Sequence, residues 1–216
     1  MKTEIFTAKG RTATVYMAES ANCPLIVLNT YKGDGRSVVD TIREIDEHSF
    51  NLVCIGDLKW DHDMTPWYCP PLSADDTPCT GGADDYLALL TEKILPHTLE
   101  MIHGTPAHIG IAGYSLAGLF AVYALHKTDV FDRAASMSGS LWFPDFKDYV
   151  LSHEMKRQPE KMYISLGDKE AKVRHHLLRT VRDNTEAIVE YLRQQGIDVT
   201  WELNPGNHYQ RSHKQK

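Results

Sequence analysis

Gly110-Ile111-Ala112-Gly113-Tyr114-Ser115-Leu116-Ala117-Gly118 reads as strand, sharp turn and helix in immediate succession. An apolar run ending in small residues leads into Gly113-Tyr114-Ser115, and a segment from Leu116 to His126 patterned as an amphipathic helix follows at once. A serine at such a turn is lifted above the end of a sheet with its hydroxyl exposed, and flanking glycines let strand and helix approach. The first amides of the helix, with the positive end of its dipole, suit an oxyanion forming beside the serine.

Working outward, short apolar runs alternate with helical patterns. Leu25-Ile26-Val27-Leu28, Phe50 to Ile55, Ala134 to Met137, Lys161 to Leu166 and Ile197 to Leu203 are strand candidates, and residues 12–18 make a further one near an edge. Continuous apolar runs of this length suit strands buried on both faces of a parallel sheet. Helical spacing appears at Val38, Val39, Ile42 and Ile45, from Ala83 to Ile102 with a kink or break expected at Pro96, from Asp145 to about Met155, and from Val173 to Leu192 ahead of Gly196. Alternation with right-handed crossovers predicts a three-layer α/β fold around a mainly parallel sheet. Residues 58–82, rich in proline and carrying Trp60, Trp67 and Tyr68, form a long loop expected to pack as a pocket wall.

With 216 residues the chain has room for one good core, so a single domain over residues 1–216 is expected, with no separate lid domain. A formal charge of −6 without a basic run argues against nucleic acid as a partner. No apolar segment approaches a membrane span and Met1-Lys2-Thr3-Glu4 lacks a signal-peptide core, so the expected location is the cytoplasm. There the four cysteines are expected as thiols, although Cys69 and Cys79 in the proline-rich loop are placed where a disulfide is conceivable. No paired Cys or His spacing supports a metal site at Cys69, Cys79 and His62, and neither metal nor cofactor is expected.

A serine nucleophile needs a base and an orienting carboxylate at neighbouring strand ends. Of eleven histidines, His208 alone follows the last strand in a Pro/Gly/Asn loop and can reach back over the sheet, with His213 in the charged tail a remote second choice. The strand Lys161–Leu166 ends in Gly167-Asp168-Lys169-Glu170. Glu170 has the offset for a side chain pointing back over the sheet, whereas Asp168 is the alternative and can instead cap the turn. The order Ser115, Glu170, His208 is that of α/β-hydrolases. The oxyanion hole is expected from the amide of Leu116 and that of Tyr31 in the loop after Leu25–Leu28.

These segments together resemble the putative-esterase family of α/β-hydrolases, which includes esterase-D-like, feruloyl-esterase-like and siderophore-esterase-like proteins. The resemblance rests on Pro24 to Thr30 with Asp34-Gly35, on Asp63-Met64-Thr65-Pro66-Trp67, and on Gly81 to Leu87 leading to Leu95-Pro96. It continues through Gly113 to Gly118, Ser138-Gly139-Ser140-Leu141-Trp142 and Gly206-Asn207-His208. Ala117 departs from the commoner second glycine of the elbow, and Asn29-Thr30 stand where many relatives carry His-Gly. The resemblance implies a serine esterase acting on a small-molecule ester, with Trp142, Trp67 and Tyr31 as an aromatic wall near Ser115 and a shallow, open site for short acyl groups. A thioesterase, an acyltransferase or a catalytically weak binding module on the same fold are the alternatives, and a homodimer is compatible with the chain.

Overall fold

The computed structural model describes residues 1–46 and 48–208; the loop histidine His208 is its last described residue, and His213 lies outside it. In chain order the elements are β1 (Lys2–Ala8), β2 (Arg11–Met17), β3 (Leu25–Asn29), α1 (Arg36–Ile45), β4 (Asn51–Gly56), α2 (Trp60–Asp63), β5 (Tyr68–Cys69), β6 (Cys79–Thr80) and α3 (Ala83–Leu89). After α3 come α4 (Leu95–Met101), β7 (Ile109–Tyr114), α5 (Leu116–Lys127), β8 (Arg133–Met137), α6 (Phe146–Ser152), β9 (Lys161–Gly167), α7 (Val181–Gln194) and β10 (Asp198–Asn204). Eight strands form one sheet in the order β1-β2-β4-β3-β7-β8-β9-β10. From β4 to β10 neighbours run parallel, and β2 runs antiparallel to both β1 and β4. The mainly parallel sheet between helices is the architecture that the alternating runs predict.

The period-2 geometry of strands divides the core. In β4, Val53 and Ile55 enter the main core with α3 to α7, while Leu52 and Cys54 enter a smaller one with Tyr16, Phe50 and Val39 of α1. The helices therefore cover the two faces unequally.

Four local readings are corrected. The first strand, β1, has no counterpart in the sequence reading; it pairs with β2 through a two-residue turn in which Lys9 and Gly10 both have positive φ, as a type I′ hairpin requires. Helix α5 is not amphipathic, because every residue from Leu116 to His126 is buried between the sheet and the helices outside it. The Ala83–Met101 segment does not break at Pro96: the helix runs on without a gap through a single π turn at Leu90–Ile94, and Pro96, which has no N–H to bond back, follows that turn as the second residue of α4. Finally, α7 starts only at Val181 after a 3₁₀ turn, so Val173, His175 and His176 precede the helix and form an irregular segment.

The burial of α5 has an electrostatic consequence at its end. His126 is 4% exposed and packs edge-on against Tyr149 at 5.4 Å. Burial pushes its pKa down from 6.5 to about 4. The folded protein keeps this ring neutral while the unfolded chain protonates it below pH 6.5, so stability is lost as pH falls from 6.5 towards 4. The wild type should lose about 3 kcal/mol more than His126→Phe between pH 7 and pH 4 in urea titrations. Equal acid sensitivity of the two proteins would remove His126 as the cause.

Candidate active site

Parallel strands deliver their loops to one edge, and all the predicted chemistry collects there. β3 and β7 are in register at Asn29 and Gly113, and β9 and β10 at Gly167 and Asn204. The loops carrying Tyr31, Ser115, Glu170 and His208 therefore leave the sheet side by side.

Ser115 sits at φ 59° and ψ −123°, the strained turn from β7 into α5. The turn closes only because Gly113 lacks a side chain: a Cβ there would lie 2.4 Å from the carbonyl carbon and oxygen of Ala117. That contact explains how alanine is accommodated at position 117, since the space its methyl group needs is left open by Gly113. Backbone bonds weave the elbow to β8: the Ser115 amide donates to the Met137 carbonyl at 3.1 Å, and the Ser140 amide donates to the Ser115 carbonyl at 3.0 Å.

The Ser115 hydroxyl lies 3.1 Å from Nε2 of His208, and Nδ1 of His208 lies 2.7 Å from Oε2 of Glu170. A carboxylate offers only acceptors, so Nδ1 carries the proton and Nε2 is left to accept from the serine. Glu170 is 8% exposed, and its other oxygen, Oε1, accepts from the Gly167 amide and from the Ser138 hydroxyl, both at 2.7 Å. Asp168 does not compete for the histidine. Its Oδ1 accepts from the Gly206 amide at 2.8 Å, while the Lys169 amide donates to the Gly206 carbonyl at 2.9 Å, so the acid loop and the histidine loop are tied together. Tyr114 adds a hydrogen bond from its hydroxyl to the His208 carbonyl and a tilted ring contact at 5.1 Å. A hydroxyl, imidazole and buried carboxylate in this sequence of contacts can move a proton off the serine and stabilise the resulting imidazolium.

Ser138, Ser140, Tyr114 and the role of Asp168 escaped the sequence reading. Ser138-Gly139-Ser140 stood out as a motif, but nothing in it says that the Ser138 hydroxyl turns to a carboxylate 32 positions on, or that the Ser140 hydroxyl lies 3.4 Å from that of Ser115.

A cleft of about 530 Å³ opens over Ser115. Trp142 lines it, together with Trp60, Leu72, Val173, His175 and Leu178. Residues 58–82 supply one wall, as expected for that loop. Two expected wall residues are elsewhere. The Trp67 indole N–H donates to the Pro144 carbonyl at 3.0 Å and its ring packs against Phe143, Phe146 and Tyr149, so it anchors the wall from behind. Tyr31 is 62% exposed and does not line the cleft itself; its ring meets Trp60 of the cleft in an edge contact at 5.3 Å. Its backbone still leaves the sheet at the functional edge, and the Leu116 amide is the first of α5, with no carbonyl of its own helix to bond.

Among the described residues, the three side chains that converge as metal ligands do are His108, Asp132 and Glu160, at the opposite end of the strands. Arg133 already contacts His108 at 2.9 Å and Glu160 at 3.4 Å, and Arg157 lies 3.7 Å from Asp132, which makes this an ion-pair network. His62, considered with Cys69 and Cys79, instead bonds the Thr80 hydroxyl through Nδ1 at 2.7 Å.

Residues 37–213 match the family model described as putative esterase. The chain belongs to the putative esterase family. It is similar to the siderophore hydrolase EstA of Aspergillus nidulans, with 18% identity, a TM-score of 0.76, and coverage of 99% of this chain and 90% of that one. An IroE-like serine hydrolase of Shewanella oneidensis superposes with a TM-score of 0.78 at 18% identity, over 99% of this chain and 77% of that one. In sequence, an uncharacterized protein of Bacillus subtilis (strain 168), YbbA, is 26% identical over 194 residues, 84% of this chain and 76% of the relative. The structural likeness places the fold among α/β-hydrolases. Among the described residues no helix is long and apolar enough to cross a membrane.

If Glu170 holds the imidazole in place, Ser115 reactivity should fall in two graded steps. Labelling of Ser115 by a fluorophosphonate should slow about 10³-fold in Glu170→Gln and about tenfold in Ser138→Ala, which leaves the Gly167 amide on the carboxylate. Time courses read by intact mass measure both, and unchanged labelling in Glu170→Gln would remove the carboxylate from the relay.

Proposed function

We propose that the protein is a serine esterase that cleaves carboxylic esters of small molecules through an acyl-enzyme on Ser115. The observation that carries this reading is the unbroken contact from Ser115 through His208 to Glu170, at 3.1 Å and 2.7 Å. Membership of an esterase family supports ester hydrolysis as the reaction class.

In the proposed sequence His208 Nε2 takes the hydroxyl proton as Ser115 Oγ attacks the ester carbonyl. The tetrahedral oxyanion is met by the amides of Leu116 and Tyr31, each contributing about 3–4 kcal/mol to its stabilisation. The imidazolium then protonates the departing alkoxide. Water, deprotonated by the same nitrogen, releases the acid and restores the hydroxyl. Trp142 and Trp60 flank the acyl or alcohol group, and the cleft volume accommodates more than a short acyl chain.

Wild-type protein should hydrolyse p-nitrophenyl acetate and butyrate with a burst of nitrophenolate, while Ser115→Ala loses about 10⁴-fold or more in kcat and shows no burst. Equal rates from the two proteins would sink the assignment of Ser115 as nucleophile.

A further inference from the structure

The cleft wall holds a pair of cysteines that ester hydrolysis leaves unused. β5 and β6 form a two-stranded antiparallel ladder in which Cys69 stands directly opposite Cys79. Opposed residues of such a ladder have Cα atoms about 4.5–5.5 Å apart and side chains on the same face. That separation falls inside the roughly 4.4–6.8 Å that a disulfide spans. Both cysteines are free thiols and both line the cleft, Cys69 buried and Cys79 half-buried. The segment between them carries Pro70, Leu72, Ser73, Asp76 and Thr77 along the cleft. Its tip is held by a bond from the Thr77 hydroxyl to Asp61 at 2.6 Å and by an internal Ser73 to Asp76 bond at 2.8 Å. A covalent tie between its two ends would therefore constrain this stretch of the cleft wall.

We propose that Cys69 and Cys79 form a thiol–disulfide modification site in the wall of the cleft, oxidised by low-molecular-weight disulfides of the glutathione type. The more accessible thiol, Cys79, loses its proton to water and attacks one sulfur of the small disulfide, expelling one thiolate. Cys69 then attacks Sγ of Cys79 and expels the second. The protein sulfurs give up two electrons, the small disulfide takes them, and two small thiols leave with the two protons. Burial raises both thiol pKa values, that of Cys79 to about 12, so the exchange is slow at neutral pH and quickens with alkalinity. Cys54 lies inside β4 and Cys23 lies outside the cleft, so neither is a partner for the pair.

The test is incubation of the full chain with oxidised glutathione at pH 8, followed by peptide mass mapping. The expected result is a Cys69–Cys79 cross-linked peptide that reverts with dithiothreitol, with Cys23 and Cys54 unmodified. Cys69→Ser should stop at a mixed disulfide on Cys79, and Cys79→Ser, which leaves only the buried Cys69, should stay reduced. Wild-type protein that stays reduced, or that stops at mixed disulfides, overturns the proposal. The effect on the wall rests on the esterase reading and is measured separately: oxidation should raise KM for a bulky aromatic ester by about fivefold and leave p-nitrophenyl acetate unchanged. A cross-link that forms with no change in the bulky-ester KM overturns the wall's part in selection. Absence of ester hydrolysis by the reduced protein counts against the esterase reading alone, because mass mapping tests the cross-link without it.

Discussion

Ser115 is held at a backbone conformation that L residues avoid, φ 59° and ψ −123°, and the rest of the active edge depends on its being held there. Such a conformation costs about 1–3 kcal/mol and persists only where the surroundings over-determine it. Here they do so on every side. Gly113 lets Ala117 close against β7, Gly118 and Gly139 approach so closely that a Cβ on Gly118 would be 2.9 Å from the Gly139 Cα, and two backbone bonds fasten the turn to the end of β8. Burial of α5 from Leu116 to His126 offsets the strain many times over, since each fully buried large aliphatic contributes roughly 1.5–3 kcal/mol.

The same economy of space governs the acid. Gly167 ends β9 where a Cβ would meet the Gly206 carbonyl at 2.6 Å and Glu170 Oε1 at 3.0 Å, so glycine is what permits the histidine loop and the carboxylate to share one pocket. Glu170 is buried with three donors around it: two on one oxygen, the imidazole on the other. A buried carboxylate without them would be heavily penalised, and with them it has one orientation. Asp168, which sequence reading offered as a rival for His208, turns out to serve the same end by bonding the Gly206 amide and so fixing the loop that carries the histidine.

What was legible in the chain follows from which forces act locally. The apolar runs of β3, β4 and β9 announce buried parallel strands because burial on both faces leaves no alternation, and Gly113-Tyr114-Ser115 announces the elbow because few residue types fit that turn. The segment Lys2–Ala8 was missed for the opposite reason: it is an edge strand with alternating, half-exposed residues, and its signal lies in the Lys9-Gly10 turn rather than in hydrophobicity. Position 117 and the wall could not be read locally at all. Whether Trp67 faces the substrate or the core depends on Pro144 and Phe146, which lie far along the chain. The motif Asp63 to Trp67 is therefore an anchor. Asp63 is buried and receives Arg11 through bonds of 2.9 Å and 2.6 Å, and the Lys59 amide at 2.9 Å, while Trp67 pins the other end.

This division separates chemistry from selection mechanically. Ser115, Glu170 and His208 are fastened close to strand ends, Ser115 by main-chain bonds to Met137 and Ser140, Glu170 by the Gly167 amide on its carboxylate, and the His208 loop by the Gly206 amide on Asp168. The opposite wall is an excursion between β4 and α3, anchored at Asp63 and Trp67 and bridged near its middle by two ladder pairs and by side-chain bonds from Thr77 to Asp61 and between His62 and Thr80. Pro70, Leu72 and Asp76 of the stretch from Pro70 to Pro78 line the cleft, whereas the hydrogen bonds that join Ser115, His208, Glu170 and Ser138 run between the loops at the strand ends. On the proposed esterase reading, a few changes in the loop wall would alter which ester is admitted, while Ser115, Glu170 and His208 stay under the constraint of close packing.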